Sequence, residues 1–188
     1  MQPSARPNAP PPTAGRMTVT AVVALAEAAH LTWEWMHGGI VSHHLLGDPT
    51  LPALWNGWGL LVLPAIAWLA SARLVNPGPL PHAGRAWQLD RPALRRLAGA
   101  MAAGIALSTA FTAGRSDVAG GLLLAIALSG LALRVYRIEY LLGFVLGMAW
   151  TFGALLPTLI GGAIALASAA VWFGPWRFVR HVVRRSRV

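Results

Sequence analysis

The chain has 188 residues, 56% of them hydrophobic and only 11% charged, with a mean hydropathy of +0.56. Soluble domains are typically about 25% charged, so the composition points to a lipid bilayer, and the length suits one domain. The absence of cysteine excludes disulfides, thiolate metal centres and thiol catalysis. The formal charge of +9 comes from fifteen arginines without a lysine, and their position between apolar runs speaks for membrane topology rather than for nucleic acid.

Residues 1–16 hold five prolines and no hydrophobic run, the composition of a disordered cytoplasmic tail. The first apolar stretch lacks a convincing small-residue cleavage site, so a signal peptide is not expected. The first span is placed at 17–36, about the 20 residues that a helix needs to cross the hydrocarbon, with Gly38-Gly39 ending it. A loop without arginine follows, carrying His43, His44 and Asp48. The second span, 53–75, opens on Trp55, Asn56 and Trp58 and contains Pro64, which removes a backbone hydrogen bond and bends a helix.

Beyond a Pro/Gly-rich loop, the third span covers 92–113, with Asp90 or Arg91 as its cap. Gly114-Arg115-Ser116-Asp117 is expected as a tight turn in which Ser116 or Asp117 caps the fourth span, 118–133. The apolar run from Leu141 to Trp176 is too long for one span, and a break near Leu156-Pro157-Thr158 divides it into spans at 138–156 and 158–176. Six spans place every arginine-rich segment on one side, which the positive-inside rule makes cytoplasmic.

The fold class expected is therefore an all-α polytopic integral membrane protein with six transmembrane helices, both termini cytoplasmic, in a bacterial inner membrane. The tail 177–188 repeats arginine at 177, 180, 184 and 187. It reads as a short amphipathic basic helix attracted by anionic lipid, so membrane lipids are the expected partners. Gly143 and Gly147 form a Gly-x-x-x-Gly pair that lets helix backbones approach closely, within one chain or in a homo-oligomer.

The chemistry concentrates in the first span. Glu27, His30, Glu34 and His37 recur at i, i+3, i+7 and i+10 and share one helix face. Ionisable groups inside a membrane are costly and default to facing a protein interior or water cavity. By topology His43, His44, Asp48, Trp33, Asn56, Trp58, Arg115 and Asp117 gather at the same outer half of the bundle. Three readings fit these residues. The site binds or conducts a cation, either a proton or a divalent transition metal such as zinc, iron or manganese, with His30, Glu34, His37, His43, His44 and Asp48 as candidate ligands. Alternatively it is an intramembrane metal-dependent enzyme acting on a lipid or other hydrophobic substrate, or the chain is a structural or accessory subunit.

Overall fold

The computed structural model describes residues 13–44, 50, 52–77 and 87–185, with side chains described as far as residue 174. Six helices carry the fold: α1 (Thr13–Met36), α2 (Gly59–Leu74), α3 (Arg91–Thr112), α4 (Ser116–Ala132), α5 (Ile138–Phe152) and α6 (Leu155–Arg185). Two small antiparallel ribbons join them. Strands β1 (Ser42–His44) and β2 (Ala53–Trp55) pair between α1 and α2, and β3 (Val75–Pro77) and β4 (Trp87–Leu89) pair between α2 and α3. The fold is all-α in class, with the ribbons as end pieces that the helical periodicity does not announce.

Local chemistry sets the helix ends. Gly38 and Gly39 adopt φ of 127° and 105°, the left-handed region that stops α1. The Asp90 side chain accepts a hydrogen bond from the Ala93 N–H at 2.8 Å, satisfying one orphan donor at the start of α3. Arg115, rather than Ser116 or Asp117, occupies the N-cap of α4 and provides no side-chain cap. The division between α5 and α6 falls at Gly153-Ala154, earlier than Pro157, with Gly153 at φ 67°. Proline fits the first turn of a helix because its missing N–H is unneeded there; Pro157 therefore belongs to the start of α6. This last helix continues unbroken through the basic segment to Arg185, so that segment is no separate helix.

The most extensive helix contact joins α3 and α5. A Cβ at Gly143 or Gly147 would run into the Leu97 or Met101 carbonyl, and one at Gly104 would meet the Phe144 carbonyl. The Gly-x-x-x-Gly pair thus packs within the chain. A core of Leu63, Ala67, Ala70, Leu142, Val145 and Ala149 ties α2 to α5, and α1 lies along α2. Two stretches, Asn56–Leu74 and Leu155–Gly174, are long and apolar enough to cross a membrane by length and composition. The apolar helices α4 and α5 are shorter, at 17 and 15 residues.

Candidate functional site

The inner face of α1 carries Val23, Glu27, His30, Leu31 and Glu34 as its buried residues past the first turn. Helical spacing puts them on one side, and that side packs against the start of α2 and the end of α5. Glu27, His30 and Glu34 keep only 4%, 7% and 6% of their surface exposed. His30 stands between the two acids. Its Nδ1 is 3.6 Å from Glu27 Oε2, and its Nε2 is 3.4 Å from Glu34 Oε1. Both separations slightly exceed hydrogen-bond reach for good geometry, and Nε2 has no hydrogen-bond partner among the described residues. The ring stacks on Trp150 of α5 at 4.6 Å between centroids.

The two carboxylates are held differently. Glu34 is clamped: Asn56 Nδ2 donates to Oε1 at 2.7 Å, and the Val41 N–H donates to Oε2 at 3.1 Å. Asn56 is itself fixed, because its Oδ1 lies against Gly153, where any Cβ would collide with it. Glu27 has no such clamp. Its Oε1 is buried without a hydrogen-bond partner among the described residues and lies against Gly59, where again a Cβ would collide. Two glycines thus make room for the side chains of the cluster. Two turns of α1 nearer the N-terminus, Thr20 buries a hydroxyl oxygen that has no hydrogen-bond partner among the described residues.

The structure separates the other sequence candidates. His37 is exposed; its Nδ1 lies 2.8 Å from the Trp33 carbonyl and its ring stacks on Trp33 at 4.5 Å. Trp33 also leans on Trp150 at 5.0 Å. As consecutive strand residues, His43 and His44 are directed to opposite sides of the ribbon, His43 half-buried and His44 exposed. Both border a cavity of about 520 Å³ that reaches Phe111, Met148 and Phe152. Burial lowers the His43 imidazole below its ordinary value, and the Glu34 carboxylate opposes that shift. Trp58 is exposed. Arg115 and Asp117 pair with each other at 3.7 Å on the exposed α3–α4 turn. Asp48 lies outside the described residues.

Trp150, Gly59 and Gly153 complete the cluster, and no residue of the stripe names them in advance. Their only signal is a tryptophan and a glycine at the end of one apolar run, Trp150 and Gly153, and a glycine at the start of another, Gly59. Among the described residues no group of three or more His, Asp or Glu side chains converges so as to hold a metal ion. The two nitrogens of His30 face different carboxylates on opposite edges of the ring, so one ion could not join all three residues through both. No protein-family model, curated protein or solved structure matches the chain.

Proposed function

We propose that the chain is a six-span membrane protein with both termini cytoplasmic, and that it passes protons along α1 through Glu34, His30 and Glu27. The observation that carries this reading is the imidazole with a different buried carboxylate at each ring nitrogen. Such a ring takes a proton at Nε2 from Glu34 and releases the Nδ1 proton to Glu27; rotation of the ring then resets the tautomer before the next proton passes. Since both gaps are about half an ångström too long for a strong hydrogen bond, the ring approaches one acid at a time. Chains of Glu and His at membrane depth are the usual proton relays.

The outer surface of the bundle supports the membrane setting. Every helix exposes large apolar side chains, among them Leu25, Leu61, Ile105, Leu124, Trp150 and Leu166. Large apolar side chains exposed on every helix are unfavourable in water, whereas lipid covers them without that cost. Arginine clusters at the β3–β4 end and at the α4–α5 junction, while the β1–β2 end carries histidines and a single arginine, Arg115, in keeping with the positive-inside rule.

The test is proton flux into liposomes containing the purified protein, followed with an internal pH-sensitive dye. Wild type should dissipate an imposed pH gradient, and Glu27→Gln and His30→Gln should each slow this at least about a hundredfold, the lower end of the scale on which positioned acid–base groups act. Unchanged flux in both variants would overturn the relay.

A further inference from the structure

A second cavity lies away from the α1 stripe, enclosed by α3, α4, α5 and α6, with a volume of about 410 Å³. Small residues make the space: nothing lies within 4 Å of a Cβ built on Gly99, and Ala103 lines the wall one turn further on. Phe144 of α5 and Ile126 of α4 face it. From Arg95 to Ala103 the wall runs about 12 Å along α3, from the rise per residue. It is apolar along most of that length and cationic at one end, where Arg95, Arg96 and Tyr140 stand.

The charge at that end is unbalanced. Glu139, on the first turn of α5, is fully buried and takes Arg96 at 2.8 Å and Arg137 at 3.6 Å. Arg95 is exposed and has no ion pair or hydrogen bond among the described residues. One carboxylate therefore serves two guanidiniums, and a third at the cavity mouth is left to bind an anion from outside. Arg134, on the adjoining segment, rests over the Trp172 ring at 4.8 Å and adds positive potential.

We infer that this cavity is a binding site for an anionic phospholipid, one acyl chain filling the space between α3 and α4–α6 and the phosphate meeting Arg95. The chemistry of the two parts selects that occupant. A free phosphate would leave the apolar wall unused, and a zwitterionic lipid would bring a second, repelled cation to Arg95. The site rests on the membrane reading above and differs from the basic tail in being a shaped cavity. It places an anionic lipid against Arg96 and the buried Glu139, the contact that anchors α5 to α3.

Native mass spectrometry of the full chain, released from neutral detergent, tests this with phosphatidylglycerol and phosphatidylcholine of identical acyl chains. Wild type should retain phosphatidylglycerol about fivefold better, the scale of one arginine at an anionic surface. Arg95→Ala, at an exposed position that leaves the fold intact, should bring the two lipids to parity. Ala103→Phe should fill the cavity and reduce retention of both. The basic tail is unaltered in Arg95→Ala, so a preference that survives there belongs to the tail and overturns the cavity site. Equal retention by wild type overturns it as well. The membrane reading is judged separately: a chain released from membranes by alkaline carbonate refutes that reading and the lipid site together, whereas a chain that stays without lipid preference refutes the site alone.

Discussion

Two buried acidic clusters occupy opposite ends of α5, and they are built on opposite principles. In its first turn Glu139 turns one carboxylate oxygen to Arg96 and Arg137, whose guanidiniums keep their charge, and so ties α5 to α3. Beside the last turn, Glu27 and Glu34 face no guanidinium among the described residues, and the ionisable side chain between them is His30, of the type that gains and loses its charge most readily. An acid paired with arginine is a fastener. An acid paired with histidine can exchange what it holds.

The contrast predicts different consequences for the same substitution. Glu139→Ala should cost about 3 kcal/mol, the low end for breaking a buried ion pair, because both guanidiniums keep partial access to solvent. Thermal unfolding in detergent, followed by tryptophan fluorescence, measures this, and proton flux per folded molecule should be unaltered. Equal loss of flux and stability would erase the distinction between fastener and relay.

Glu34→Gln sharpens the comparison from the other side. Its two oxygens accept from Asn56 and Val41, and an amide must turn its NH₂ toward one of these donors. A smaller destabilisation follows, about 1–2 kcal/mol for one unsatisfied buried group, with flux abolished. A variant that unfolds as readily as Glu139→Ala would mean that Glu34 is also chiefly structural.

The smallest effect concerns His43, outside the helices. Its folded value lies below the ordinary 6.5, through burial. As pH falls through that range the unfolded chain takes up a proton that the folded chain refuses, so stability is full above about 6.5 and declines below it, levelling off once the folded value is passed. The charged group that acts on His43 is the Glu34 carboxylate, which opposes the effect of burial. His43→Phe should therefore show a smaller drop in melting temperature between pH 7.5 and 5.5 than wild type; an identical drop would place the acid sensitivity elsewhere.

Much of this arrangement was legible in the residues. Spacing alone put Glu27, His30 and Glu34 on one face, and Gly38-Gly39, Asp90 and Gly114 mark ends that the chain uses, each through a specific backbone need. His37 shares the same spacing yet lies exposed, because α1 ends at Met36, just before it. Three-residue strands are too short to show alternation, so neither ribbon was readable. Proline at 157 misled because it serves to start a helix as well as to stop one. The burial of Glu139 depends on Arg96, which lies 43 positions away in sequence, and no local pattern reports such a meeting.

The glycines between α3 and α5 have a mechanical consequence. Side chains that interdigitate can change rotamer and let helices slide, whereas backbones in direct contact offer no such give. Gly104, Gly143 and Gly147 thus weld α3 and α5 into one stiff beam. Any working stroke is left to helices that rest on the beam through side chains, α1 among them. Trp150 belongs to the beam, and the His30 and Trp33 rings that lean on it belong to α1. Their stack is the seam between α1 and the beam, and the emission of these two tryptophans reports on that seam.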